Sequence, residues 1–198
     1  MKIDKEKLII SLLKNIPESS DLDEAILNTL SKLKIDESLY YNVKNEFFPK
    51  GLNSLMYELN LLINKRLSKE KKPLRFKSFK INEKVKYFTM RRLTIFQSLV
   101  DKKKFFGKVF KPSLLLSSNK VLFKIADEIW FLSGDKSTDY NYYTKRIILM
   151  KVYALTFSFF IFDNSENLER TRNFLNKEID LVLKFGKFAN KIKNKVRF

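Results

Sequence analysis

The chain is starved of the residues that bend a backbone. Gly and Pro occur only four times each in 198 residues. Sandwiches and barrels need frequent tight turns, and such turns draw heavily on those two residue types. Their scarcity leaves long stretches free to run as helix, and the apolar residues are spaced accordingly. Leu8, Ile9, Leu12 and Leu13 make one stripe; Ala25, Ile26, Leu30 and Leu33 make a second, entered through Asp21 and Glu24 in the manner of a capping box. Asp36 can cap a third helix carrying Leu39, Tyr40, Val43 and Phe47. Pro49 and Gly51 punctuate the chain before a fourth helix from about Leu52 to Leu67. The expected fold class is all-α.

The second half reads the same way. Lys69 to Lys80 is a basic connector; its alternation in LRFKSFKI suggests a strand, but with no partner strand a loop into a helix over about Asn82 to Val100 is preferred. A helix starts at Pro112, carries Val121, Leu122, Ile125, Ile129, Trp130 and Leu132, and stops at Gly134. Thr138 or Asp139 can cap a long apolar helix that ends at Phe162, and Asn164 or Ser165 a last helix bearing Leu168, Phe174, Leu175, Ile179 and Val182. The longest apolar run, Ile147 to Phe162, contains Lys151, Thr156 and Ser158. A membrane span needs about 20 predominantly apolar residues, so a buried helix is expected there. The opening MKIDKEKLII resembles no secretory or transit signal, and a soluble or peripheral chain is expected.

Two missing residue types narrow the chemistry. With no Cys there is no disulfide framework, no thiol nucleophile and no Cys-ligated zinc. With no His there is no imidazole base and no Glu-x-x-His di-iron motif. An enzyme would have to work through carboxylates, Lys, Tyr or a bound cofactor, and no such constellation has the spacing of a site.

The formal charge of +18 invites a nucleic-acid reading, but its distribution argues otherwise. Residues 1–64 are net −2, residues 65–111 are net +14, and residues 112–198 are net +6. Three short helices followed by PKG and a long helix resemble the helix-turn-helix module of TetR-type regulators, which makes residues 1–50 one expected domain and residues 51–198 a second, helical region. The would-be reading helix, ESLYYNVKNEFF, has one Lys and two Glu, whereas base and phosphate contacts need Arg, Lys, Asn or Gln in a basic surround. A TetR-like DNA-binding regulator is therefore the alternative reading, and no nucleic-acid partner is expected. The basic belt, with Phe76, Phe79, Tyr87 and Phe88 interleaved, admits three readings: nucleic acid, a solvated face in a Lys-rich proteome, or attraction to anionic lipid headgroups.

From Ile125 the chain carries a specific pattern: Ala126-Asp127, Trp130, Gly134-Asp135, Ser137-Thr138-Asp139, Asn141, Tyr142-Tyr143-Thr144, Lys145-Arg146, Val152-Tyr153, Asp163 and Ser165. Over about 60 residues this resembles the C-terminal half of the Coq-nine family, accessory lipid-binding proteins of ubiquinone biosynthesis. A weaker upstream likeness follows in order: Phe48 to Gly51, Met90 to Leu93, and Pro112. The resemblance implies a TetR-like fold without DNA binding and a non-enzymatic role. Such a protein holds a polyprenyl quinone precursor or a phospholipid as ligand, with no cofactor and no metal. It presents that ligand to the di-iron demethoxyubiquinone hydroxylase. The resemblance further implies a homodimer and a bacterial member, in the cytoplasm or peripheral on the inner membrane.

Residues follow from that likeness. Tyr142, Tyr143 and Arg146 align with the family's hydroxylase-contacting patch, and their spacing puts both tyrosines within reach of Arg146; a helix start with a stacked Arg explains the same spacing. Trp130, Ile148, Val152, Tyr153, Phe157 and Phe160 are the expected lipid-binding residues, because an isoprenoid needs a concave, mostly apolar site; a plain core helix would look alike. Phe188, Lys191, Ile192, Lys195 and Val196 make a short basic amphipathic tail, suited to an anionic membrane or simply a frayed terminus. Asp135 and Asp139, four apart across a turn, suggest capping before they suggest a metal, and Glu166 with Glu169 a solvated first turn.

Overall fold

The structure, a computed structural model, describes residues 3–109 and 112–195, and of residues 112–118, 139 and 186–195 the backbone alone. All regular structure among the described residues is helical. The helices are α1 Lys5–Asn15, α2 Leu22–Lys32, α3 Tyr40–Phe47, α4 Leu52–Lys69, α5 Ile81–Leu99, α6 Lys102–Val109, α7 Pro112–Leu132, α8 Asp139–Phe162 and α9 Glu169–Lys195. The chain divides into two compact units, residues 1–71 with 91–121 and residues 72–90 with 122–198. No helix among the described residues is long and apolar enough to cross a membrane.

In the first unit, the stripes read from the sequence become core. Leu8, Ile9, Leu12, Leu13, Ala25, Ile26 and Leu30 are buried, joined by Val43 of α3 and by Leu55, Leu59 and Ile63 of α4. Each helix start has a local cause. Asp4 accepts from the amides of Glu6 and Lys7 at 3.1 and 3.2 Å. Asp21 accepts from the Glu24 amide at 2.9 Å, while the Glu24 carboxylate reaches back to the Ser20 amide at 2.7 Å. That reciprocal pairing satisfies amides which the first turn leaves without helical partners. Asp36 caps through the Ser38 amide, although a 3₁₀ turn, Glu37–Leu39, intervenes before α3. Gly51 has φ 57°, a left-handed conformation that costs a side-chain-bearing residue energy, and it starts α4. Arg92 of α5 is buried and donates to Asn60 and Asn64 of α4.

Helix α6 was not expected from the sequence. KKKFFGKV offers only Phe105 and Val109 as a one-sided pair, too short a pattern to show a period. Those two side chains are buried, and Asp101 accepts from the amides of Lys103 and Lys104 to start the helix.

In the second unit the connector is a 3₁₀ turn, Leu74–Ser78, leading into α5. Helix α8 packs along α9, with Leu149, Val152, Tyr153, Phe160 and Ile161 of α8 and Leu175 and Ile179 of α9 buried. Phe159 stacks on Phe174 with ring centroids 4.8 Å apart. Between the helices Asp163 holds the turn: it accepts from the Ser165 amide at 2.8 Å, the Thr171 amide at 2.9 Å and the Thr171 hydroxyl at 2.6 Å. Burial disfavours its charge, but those hydrogen bonds outweigh burial and hold the carboxyl well below the usual range. Ser165 also caps, accepting from the Arg170 amide at 3.0 Å. Thr138 takes the N-cap position of α8; the Asp139 side chain lies outside the described residues.

Candidate functional site

The segment that carried the family resemblance folds into one corner of the second unit, where α7 turns into α8. The turn is built by Gly134. Its φ of 84° lets the chain reverse, and two backbone bonds close the helix end: Gly134 to the Phe131 carbonyl and Asp135 to the Trp130 carbonyl, both at 3.0 Å. This 6→1 and 5→2 pairing is a Schellman closure, and a glycine in the left-handed position is what permits it. The result fixes Asp135 immediately beyond α7, facing the first turns of α8.

Two carboxylates and two cations then interlock. Arg146 donates through Nε to Asp127 at 2.6 Å and through Nη1 to Asp135 at 3.3 Å. Its Nη1 also reaches the Tyr142 carbonyl at 3.0 Å. Lys145 donates to the other Asp135 oxygen at 2.7 Å, and the Ser137 hydroxyl donates to Asp135 at 2.5 Å. The Tyr142 hydroxyl donates to Asp127 at 2.8 Å, while its ring lies under the guanidinium, 3.3 Å from centroid to Cζ. Trp130 closes the corner, donating Nε1 to the Lys145 carbonyl at 3.1 Å with the Lys145 ammonium 5.3 Å from its ring.

The electrostatics follow from burial. The Asp135 side chain is 2% exposed, and burial alone would raise its pKa; hydrogen bonds from Lys145 and Ser137 and the charges beside it win, lowering it to about 2. Burial disfavours the Arg146 charge, but Asp127 more than compensates and its pKa is raised. The Tyr142 hydroxyl is pushed up, first by its bond to Asp127 and then by burial. Asp135 is thus a locked anion at neutral pH, neither a general acid nor an available base. Among the described residues no group of three or more Asp or Glu side chains is placed to hold a metal.

The expected contact residues separate by depth. Tyr143 is 60% exposed and sits edge-on to Tyr142, centroids 5.1 Å apart. Tyr142 is half-buried, and Arg146 is 4% exposed, an internal post rather than an outward anchor. Sequence spacing gave the Tyr142–Arg146 stack. It missed Asp127 and Asp135 as the posts' sockets, since those lie 19 and 11 residues away on other elements. It also missed the company Tyr143 keeps: Tyr140 and Ile147 are exposed on the same helix, one turn to either side.

The expected lipid-binding residues are likewise split. Val152, Tyr153 and Phe160 are buried, Trp130 and Phe157 are half-buried, and Ile148 is exposed. Phe157 bridges Tyr153 and Phe160, with centroids 6.1 and 5.8 Å away. Among the described residues of the first unit, concavities of about 230 and 390 Å³ are edged with Lys and Glu side chains, and neither of these suits an isoprenoid. Phe188, Lys191, Ile192 and Lys195 fall within the backbone of α9, but their side chains, and all of Val196, lie outside the described residues.

The would-be reading helix is equally informative. Its one basic residue, Lys44, donates to Asp23 of α2 at 2.8 Å and to the Tyr40 hydroxyl at 3.1 Å. The Asp23 bond leads in raising the Lys44 pKa. The cation is partly exposed to solvent but paired within the module rather than left free for a phosphate.

Comparison with known proteins places this corner in a family pattern. The COQ9 pattern matches residues 115–186. Human ubiquinone biosynthesis protein COQ9, mitochondrial, is 32% identical over 83 residues, 42% of this chain and 26% of that protein. The Schizosaccharomyces pombe ubiquinone biosynthesis protein coq9, mitochondrial, is 36% identical over 85 residues, 43% and 32% of the two chains. The probable ubiquinone biosynthesis protein coq9 of Dictyostelium discoideum is 30% identical over 115 residues, 58% of this chain and 38% of that protein. The matched stretch thus spans less than two fifths of each of these relatives. They are named for a biosynthetic role rather than for a reaction. Among solved structures, the TetR transcriptional regulator from Nitrosomonas europaea aligns over 90% of this chain and 98% of its own, with a TM-score of 0.62 and 17% identity. The fold is TetR-like and all-α, and the chain resembles the COQ9 family through the segment that builds the α7–α8 corner.

Proposed function

We propose that this chain is a non-enzymatic accessory protein of ubiquinone biosynthesis that binds a polyprenyl quinone precursor and presents it to the di-iron demethoxyubiquinone hydroxylase. The observation that carries the reading is the α7–α8 corner. It lies inside the COQ9-matching stretch, and its carboxylates Asp127 and Asp135 are spent on Arg146, Lys145 and Tyr142 rather than left for chemistry. What the corner leaves outside is recognition surface: Tyr140, Tyr143 and Ile147 stand exposed on a helix start that the buried ion network holds rigid. An aromatic pair kept in one orientation loses little entropy on docking, which favours it as an anchor.

In this reading Tyr143 touches the hydroxylase, while Arg146 acts beneath it by fixing Tyr142. The apolar side of α8 around Val152, Tyr153, Phe157 and Phe160 supplies the lipid-facing wall, and the protein works as a homodimer in the bacterial cytoplasm or on the inner-membrane surface. The fold is TetR-like but α3 offers no free cation, so the DNA-binding regulator is the weaker reading. The test is capture of the hydroxylase by the immobilised chain. Tyr143→Ala should lower capture about tenfold or more with an unchanged melting temperature. Equal capture by the wild type and the variant removes the docking assignment.

A further inference from the structure

The turn between α4 and α5 has a property the proposed function does not use. Residues 72–90 contain six basic side chains and one acid, Glu83. Glu83 is occupied with the start of α5, accepting from the Lys80 amide at 2.6 Å. Of the cations only Lys86 has a carboxylate partner among the described residues, Asp180 at 2.9 Å. Lys72, Arg75, Lys77 and Lys80 are exposed. In their midst Leu74 is fully exposed and Ile81 nearly half so.

Beneath them the turn is braced. Phe76 is buried and meets Phe79, Tyr87 and Phe88 at centroid distances of 5.7, 5.4 and 5.3 Å. The ammonium groups of Lys72 and Lys84 lie 5.3 and 5.5 Å from the Phe76 ring. These aromatics are a pedestal, turned toward one another. A nucleic-acid groove needs open ring faces on which bases stack, and Phe76 offers none. Nor does phosphate recognition account for a leucine at the tip. A fully exposed leucine flanked along the turn by exposed cations matches an environment where headgroups are anionic and the layer just below them is apolar.

We infer that the Leu74–Ser78 turn is a docking point for an anionic bilayer surface, with Leu74 and Ile81 entering the interface and Arg75, Lys77 and Lys80 resting on lipid phosphates. This site uses residues other than those of the α8 wall and the basic tail, and it stands whether or not a quinone is carried. Each unpaired cation near the surface contributes about fivefold to partitioning.

The chain has no Cys, so a single reporter can be placed cleanly. Leu74→Cys and, separately, Ile81→Cys are labelled with an environment-sensitive nitrobenzoxadiazole dye; Tyr41→Cys, exposed on α3, is the control. Melting curves check that each folds as the wild type. Vesicles of three parts phosphatidylcholine to one part phosphatidylglycerol should shift the dye at 74 or 81 to the blue and leave the dye at 41 unchanged. Vesicles of phosphatidylcholine alone should do neither. Arg75→Glu with Lys77→Glu should lower the sedimented fraction constant about twentyfold or more. The inference is overturned if the chain sediments with anionic vesicles while both turn labels stay in water, which puts the contact elsewhere. It is equally overturned if no binding occurs, if neutral vesicles act as well as anionic ones, or if polyglutamate or duplex DNA perturbs the turn and vesicles do not.

Discussion

Two helix starts in this chain use the same three parts. On α3, Lys44 lies over the ring of Tyr40 four residues earlier and pairs with Asp23 from the preceding helix. On α8, Arg146 lies over Tyr142, again four residues earlier, and pairs with Asp127 from the preceding helix. The parts match and the depth does not. Lys44 and Asp23 are both open to solvent, whereas Arg146 is inside and has a second, buried carboxylate in Asp135. An exposed pair is screened and spends side-chain entropy to form. A buried network is costly to assemble and more costly to break, because removing one member strands a charge. The shallow copy pairs the one cation of the helix that would read DNA. The deep copy fixes a surface in the region that resembles COQ9.

The comparison breaks most readily at Arg146. Arg146→Ala should cost about 3 kcal/mol by urea unfolding, because it leaves Asp135 and Asp127 without their shared partner. For a chain of this size that is roughly 10 °C in Tm. A loss below about 1 kcal/mol would mean the deep copy behaves like the shallow one.

Acid should strip the same network. Asp135 has its folded pKa lowered to about 2 from an ordinary 3.8. A depressed carboxyl contributes stability that is fully present above the unfolded value and fades as pH falls toward the folded one, so the window lies between about pH 4 and pH 2. The contribution is about 2 kcal/mol. Asp135→Asn should flatten that limb of the stability–pH curve; an unaltered limb would place the acid sensitivity elsewhere. Asp163, also held low, contributes in the same sense.

Tyr142→Phe sharpens the contrast further down the scale. It deletes the 2.8 Å bond to Asp127 but keeps the ring under Arg146, and should cost about 1 kcal/mol. Lys44→Met is the smallest effect: no resolvable change in Tm, and no gain or loss of duplex DNA binding in a low-salt shift assay. A sequence-preferring complex formed by the wild type and lost in Lys44→Met would reverse the reading of α3.

Much of this architecture was legible in the sequence because helices announce themselves through spacing. The stripe from Leu8 to Leu13, the Asp21–Glu24 cap and the stop at Gly134 all stood where the periodic pattern and turn chemistry put them. Helix α6 was illegible, since an eight-residue helix with Phe105 and Val109 as its only buried contacts has no period to detect. The corner was half legible. Tyr142 and Arg146 are neighbours on one helix, so spacing paired them; Asp127 and Asp135 reach Arg146 across a helix gap, and no local rule relates them. Burial of an arginine was invisible for the same reason, as its sockets come from distant positions. The interleaving of Phe76, Phe79, Tyr87 and Phe88 with basic residues left three readings open, and only the three-dimensional arrangement shows the rings facing one another.

The claim at the centre of this account is that the chain carries a lipid and leaves the reaction to another protein. Organic extraction of the chain purified from its native host, followed by mass spectrometry, tests that directly. The account predicts a retained polyprenyl quinone, quinol or precursor at a near-stoichiometric level, lost when Tyr153 and Phe157 are both changed to Asp. An extract containing no isoprenoid or phospholipid above that of a control protein would contradict it.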